Sequence, residues 1–138
     1  IKNKKQKKLY LGNLYSKRDW GHAEDYVVAM WKMLQHKVSG DYVVCTGKQY
    51  TIKKFINVVA KKLKISIKWK GKGINEKAYD DNGNCIIECH QRYFRPAEVD
   101  TLQGDYSKAK KILKWKPKKN LDDLINDMIS YELKQLHK

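Results

Sequence analysis

The stretch "DYVVCTGKQYTIKKFI", residues 41–56, decides the class of fold. Its first half, Asp41 to Gly47, is a compact β-branched and aromatic run stopped by glycine, which predicts a buried strand. The second half changes period. Thr51 offers a side-chain oxygen where a helix would start, and Ile52, Phe55, Ile56, Val59 and Leu63 follow on one helical face while lysines fill the other. Strand, turn and amphipathic helix in so short a span predict a mixed α/β chain.

The flanking segments extend the pattern. "LYLGNL", residues 9–14, reads as a short strand ending at the Gly12-Asn13 turn signal. From Ala23 to Gln35 the apolar residues Ala23, Tyr26, Val27, Met30, Met33 and Leu34 predict a helix with that stripe facing the core. "ISIKWKGKG", residues 65–73, alternates apolar and basic, as a half-exposed strand does, and "CIIECHQRYF", residues 85–94, predicts another strand. Pro96 restricts Arg95 to an extended conformation. Asp105 is placed to cap a short helix through Leu113, and Asn120 with Asp123 opens a last helix striped by Leu121, Leu124, Ile125 and Met128.

At 138 residues and 16.3 kDa the chain suits one domain with its own core. Its opening, "IKNKKQKKLYLGNL", starts without a methionine and leads from a lysine cluster straight into a strand-like run, which reads as an excision from a longer protein; the apolar run is also too short for a signal peptide. No window approaches the ~18 to 20 apolar residues of a membrane span, so no membrane partner is expected. Three cysteines, Cys45, Cys85 and Cys89, make no disulfide framework and favour a reducing, cytoplasmic setting. Cys85, Cys89 and His90 lack the second ligand pair that structural zinc needs.

The formal net charge of +15 raises nucleic acid as a partner, but its makeup argues otherwise. There are 27 lysines, spread along nearly every segment, against three arginines, whereas base-reading proteins lean on the arginine fork. A lysine-biased surface with no nucleic-acid partner is the reading taken. A non-enzymatic lysine-rich nucleic-acid-binding module is the competing class, and it would lose affinity steeply with salt.

All three arginines, Arg18, Arg92 and Arg95, fall in two stretches, "KRDWGHAEDYV" and "QRYFRPAEVD". Lysine serves everywhere else, so these positions call for a rigid bidentate grip on phosphate or carboxylate. Paired arginines plus an acid suit a diphosphate attached to a ribose, with Glu98 accepting from vicinal hydroxyls. Structural ion pairs, Arg18 with Asp19 or Arg95 with Glu98, explain the same composition equally well.

"LYLGNLYSKRDWGHAEDYV", "DYVVCTGKQYTIKKFI", "RYFRPAEVDTLQGD" and "AKKILKWKPK" together resemble, in order and at similar spacing, the C-terminal part of the GDP-mannose 4,6-dehydratase family of extended short-chain dehydrogenases/reductases. The resemblance covers nearly the whole chain. It implies that residues 1–138 are a substrate-binding lobe plus the closing strand and helices of a Rossmann-type α/β fold. It implies further that Arg18 and Arg95 meet the diphosphate of GDP-mannose, that Glu98 meets its ribose, and that Leu11 packs near the guanine. Arg92 and Tyr93 lie in the same motif without an assigned contact.

The resembled enzymes bind NADP through a glycine-rich turn and work with a Ser/Thr, an acid and a Tyr-x-x-x-Lys pair, all upstream of this region. They oxidise the mannose at C4, eliminate water across C5 and C6 and return the hydride to C6, and they assemble as dimers or tetramers. This chain, with no such turn, is expected to lack catalysis by itself; another nucleotide-sugar dehydratase or epimerase is the alternative within the family. Gly71 and Gly73 follow a strand without the third glycine of a phosphate cradle. Tyr50/Lys54 and Tyr106/Lys110 match Tyr-x-x-x-Lys, but about two such pairs are expected by chance at this lysine content. His22, just ahead of a helix, reads as a capping or packing residue, and His36 and His137 as surface residues.

Overall fold

Local hydrogen bonding sets most of the helix ends. In the computed structural model, which describes residues 1, 5–95, 97 and 99–136, helix α1 spans Ala23–Gln35 and begins where the His22 ring nitrogen accepts the Glu24 N–H. Helix α2, Ile52–Lys62, starts where the Thr51 hydroxyl accepts the Lys54 N–H, as its sequence predicts. Helix α3 spans Ser107–Leu113, with the Asp105 carboxylate accepting from the Ser107 N–H and hydroxyl. Helix α4, Leu121–Leu136, opens on a reciprocal box: Asn120 Oδ1 accepts from the Asp122 and Asp123 N–H groups, and Asp123 Oδ2 accepts from the Asn120 N–H. His137 lies outside the described residues.

Six strands accompany the helices: β1 (Leu9–Leu11), β2 (Lys17–Arg18), β3 (Tyr50–Thr51), β4 (Lys68–Lys70), β5 (Lys77–Tyr79) and β6 (Cys85–Cys89). The chain divides into two compact units. One comprises Ile1–Lys17 and Thr51–Asp100, the other Arg18–Tyr50 and Thr101–Lys138.

The first unit is a four-stranded sheet in the order β1-β6-β5-β4, with α2 in the same unit. β1 runs parallel to β6, pairing Leu9 with Ile87 and Leu11 with Cys89; β5 is antiparallel to both β6 and β4. An irregularity at Ala78/Tyr79 places Ile86 beside Ile87 in the core, so consecutive apolar residues can both be buried. Ala78, Ile86 and Ile87 form that core, against which Leu9, Leu11, Ile56, Ile67 and Trp69 pack. Complete burial of an isoleucine side chain contributes about 1.5–3 kcal/mol, so Ile86 and Ile87 carry much of this small unit. β5 has no apolar run of its own, and its pairing with β4 and β6 is what makes it a strand. The strand expected over 85–94 stops at Cys89. There the His90 ring accepts the Arg92 N–H and turns the chain into a single 3₁₀ turn at Gln91–Tyr93.

In the second unit Ala29, Ala109, Leu113 and Trp115 form the core, with Tyr26, Met33, Tyr42, Val44 and Tyr106 packed on it. The α1 stripe is rotated from its expected position. Tyr26 and Met33 do face the core, but Val27, Met30 and Leu34 are exposed, Leu34 by 82%. Asp25 and Ala29 are buried instead. The reason is polar: the Asp25 carboxylate accepts the Lys118 and Lys119 N–H groups at 2.9 and 2.8 Å, and its carbonyl accepts the buried Trp115 indole N–H at 2.8 Å. The run 41–47 is extended and alternates as a strand does, with Tyr42 and Val44 on the core, yet it pairs with no strand among the described residues.

On the outer face of the sheet, Glu88 receives Lys8 at 2.6 Å and Lys77 at 2.9 Å. These two ammonium groups, Lys8 foremost, lower the Glu88 carboxyl from its ordinary 4.5 to about 2. A depressed carboxyl contributes stability that is complete above its unfolded value and is lost as pH falls through the folded one. Glu88→Gln is therefore expected to shrink the loss of stability between pH 4.5 and pH 2, read as the urea midpoint across that window. An unchanged acid limb in the variant would remove Glu88 from this role.

Candidate functional site

In the first unit two sequence-distant segments meet where β1 and β6 end. The ladder continues one step past β6, the His90 N–H donating to the Leu11 carbonyl at 2.8 Å. Just beyond, Gly12 lies so close to the 3₁₀ turn that a Cβ on it would fall 2.1 Å from the Tyr93 carbonyl oxygen. The imidazole of His90 sits edge-on to Tyr10, ring centroids 5.7 Å apart, and tilted to Tyr93 at 6.1 Å. Leu11 and the segment running through Arg92, Tyr93 and Phe94 into Arg95 are thus held side by side. Arg92, Tyr93 and Arg95 are exposed there. Leu11 is half-buried, with its side chain on the sheet core. Glu98, the acid expected beside them, lies outside the described residues, as does Pro96.

Arg18 is half-buried in β2 and belongs to the second unit. Its neighbour Asp19 is committed to a turn: the carboxylate accepts the Thr46 N–H at 2.9 Å, the Thr46 hydroxyl and the Gly47 N–H at 2.8 Å. Gly47 has φ +71°, a left-handed conformation that glycine adopts without strain, and its carbonyl accepts the Gln103 side-chain amide. Near this turn a cavity of about 160 Å³ is lined by Trp20, Thr46, Lys48, Tyr50 and Tyr106 among others.

The other candidates resolve into structural roles. His22 caps α1 through Nδ1, while Nε2 stands 3.1 Å from Asp127, a carboxylate that also receives Lys119 at 2.7 Å. Lys119, bound by Asp127 and Glu24, has its ammonium pushed up. Tyr106 packs edge-on against Trp115 at 5.9 Å, and the Lys110 N–H bonds to the Tyr106 carbonyl, so that Tyr-x-x-x-Lys match serves packing. His36 is half-buried and ends α1, its N–H donating to the Met33 carbonyl. Gly71 and Gly73 have positive φ in the connection from β4 to β5, and Gly73 opens a 3₁₀ turn of three residues with no helix behind it. These glycines do not fit a dinucleotide phosphate, which needs the N-terminus of a full helix.

Sequence reasoning missed Glu76. It is 2% exposed and holds two partners, the Tyr15 hydroxyl and the Lys53 ammonium. Its signal was present: it is the single acid between residues 51 and 77, among nine lysines.

Residues 1–128 match the family model described as GDP-mannose 4,6 dehydratase. The Drosophila melanogaster protein named GDP-mannose 4,6 dehydratase is 42% identical over 139 residues, covering 100% of this chain and 35% of the relative. A Yersinia enterocolitica GDP-mannose 4,6-dehydratase is 45% identical over 92% of this chain, and an Arabidopsis thaliana relative, GDP-mannose 4,6 dehydratase 2, is 47% identical over 93%. The chain spans about a third of the length of these relatives, between 30% and 37%. Among solved structures, RMD from Pseudomonas aeruginosa complexed with NADPH aligns with TM-score 0.71 at 21% identity over 94% of this chain and 37% of its own. UDP-glucose 4-epimerase from Bifidobacterium longum, in complex with NAD+ and UDP, aligns with TM-score 0.71 at 17% identity over 96% of this chain and 37% of its own. Those alignments establish a partial Rossmann-type α/β fold.

The close approach at Gly12 predicts that Gly12→Ala forces the Tyr93–Phe94 backbone outward. Overpacking of this kind costs about 1–3 kcal/mol, measurable as a lowered urea midpoint. A variant as stable as the original chain would show that the two segments are not held together there.

Proposed function

We propose, from the premise that this chain belongs to the GDP-mannose 4,6-dehydratase family, that it is the C-terminal, nucleotide-gripping portion of a GDP-mannose 4,6-dehydratase. Arg18 and Arg95 take the diphosphate, Glu98 takes the ribose hydroxyls, and Leu11 packs near the guanine. The observation that supports this most is the convergence at the ends of β1 and β6, where the Gly12–Tyr93 approach sets Leu11 beside the segment leading into Arg95. Arginine suits the diphosphate because its planar fork can meet two oxygens at once, and at an exposed position such as Arg95 directed hydrogen bonds matter more than bare charge.

The chemistry belongs to the part that relatives carry and this chain does not. NADP would supply the hydride acceptor and donor for the sugar, and the proposal assigns its binding to that part. The contribution of this portion is to fix the nucleotide so that the sugar is presented in one orientation. The same proposal includes assembly of the intact enzyme as a dimer or tetramer. It also includes a cytoplasmic setting with no nucleic-acid or membrane partner. All three cysteines are free, and no helix described is long and apolar enough to cross a membrane.

Two measurements test the proposal. With the remainder of the enzyme supplied, GDP-mannose and NADP should yield a nucleotide sugar lighter by one water in mass spectrometry, while the 138-residue chain alone should return GDP-mannose unchanged. An unaltered sugar from the folded intact enzyme would overturn the activity. For the site, Arg95→Lys is expected to weaken GDP-mannose binding about tenfold or more in calorimetry, the loss of one charged hydrogen bond. Glu98→Gln should hurt GDP more than pyrophosphate. Equal losses for both ligands would move Glu98 to a structural role.

A further inference from the structure

Glu76 stands out for what it touches. A buried carboxylate is tolerated only when its oxygens are satisfied, and here Oε2 accepts the Tyr15 hydroxyl at 2.7 Å while Oε1 pairs with Lys53 Nζ. The Lys53 ammonium lies against two rings, 5.6 Å from the centroid of Tyr15 and 4.9 Å from that of Trp69. Through its backbone Glu76 reaches the end of β6, its carbonyl accepting the Cys89 N–H. One residue therefore joins the end of β6, the first turn of α2 and the segment that follows β1.

That segment, residues 12–17, directly follows Leu11, one of the proposed nucleotide-binding residues. Its backbone is held by the first turn of α2, where the Ile52 and Lys53 N–H groups donate to the Ser16 and Leu14 carbonyls at 3.3 and 2.9 Å. Further on, the Lys17 N–H donates to the Asp100 carbonyl at 2.8 Å. Tyr15 lies in the middle and is 49% exposed, so apolar burial does little to hold it. What holds its side chain is the hydroxyl bond to Glu76. That bond also pushes the Tyr15 phenol up, because the carboxylate beside it disfavours the phenolate.

We infer that Glu76 is a positioning residue for the nucleotide site, acting through Tyr15 and Lys53 to set the course of residues 12–17, which follow Leu11. The inference rests on the nucleotide-site reading proposed above. It goes beyond a stabilising ion pair because it assigns Tyr15 a part in affinity that its small contribution to the core would not give it.

Tyr15→Phe separates the two roles, since it removes one oxygen and leaves the Glu76–Lys53 pair in place. GDP affinity of the intact enzyme carrying this variant is expected to fall about three- to tenfold, the equivalent of one hydrogen bond, in enzyme that is still folded at the assay temperature but has a lowered thermal midpoint, because Glu76 Oε2 loses its donor. Glu76→Gln should weaken GDP more, and Lys53→Arg, which keeps the charge, should retain most of the affinity. Amide exchange at Tyr15 and Lys17 should quicken in Tyr15→Phe. Arg95→Lys serves as the control. If Arg95→Lys weakens GDP and Tyr15→Phe does not, the positioning role is overturned and the nucleotide site stands. If the unsubstituted enzyme does not bind GDP, both readings fall.

Discussion

The buried carboxylate of Asp25 is the constraint on which the second unit depends. A chain with 30 basic residues against 15 acids has no shortage of cations, yet this acid is compensated by backbone N–H groups of Lys118 and Lys119 and not by an ammonium. An uncompensated charge at such a position would cost several kcal/mol, more than the burial of any one apolar side chain of α1 could return. The carboxylate thereby sets which face of α1 turns inward. Ala29 then meets the core of Ala109, Leu113 and Trp115, and Lys32 reaches over to accept burial of its stem while donating to the Leu113 and Lys114 carbonyls at the end of α3.

The first unit solves the same problem with a different donor. Glu76 uses a lysine and a tyrosine, and Glu88 on the outer face uses two lysines. In each case a carboxylate ties together segments far apart in sequence, which the dispersed lysines alone could not do because like charges repel. The excess of lysine is thus compatible with an ordered fold. Asp25, Glu76 and Glu88 are each placed where a negative group organises two or more donors.

The features that the sequence made legible are those with local causes. The limits of α1, the Thr51 cap, the Asn120/Asp123 box and the capping role of His22 all depend on hydrogen bonds within four residues. The alternation at 65–70 was readable because one face of β4 is half-buried and the other exposed. Arg18 and Arg95 stood out in the sequence because arginine occurs at only three positions where the rest of the chain uses lysine.

What the tertiary structure alone decided involves partners that are distant along the chain. β5 became a strand through its neighbours, the extended run 41–47 did not become one because pairing needs a second segment, and the division into two units cuts across the sequence order. The inward face of α1 followed from donors 93 and 94 residues away, and the role of Glu76 from a tyrosine 61 residues away. Sequence by itself determined the helices and the class of fold, because spacing and capping are written within a few residues. The strand order, the orientation of α1 and the convergence of Leu11 with the segment before Arg95 required the folded chain, because a hydrogen bond across many residues is chosen by the whole set of competing contacts.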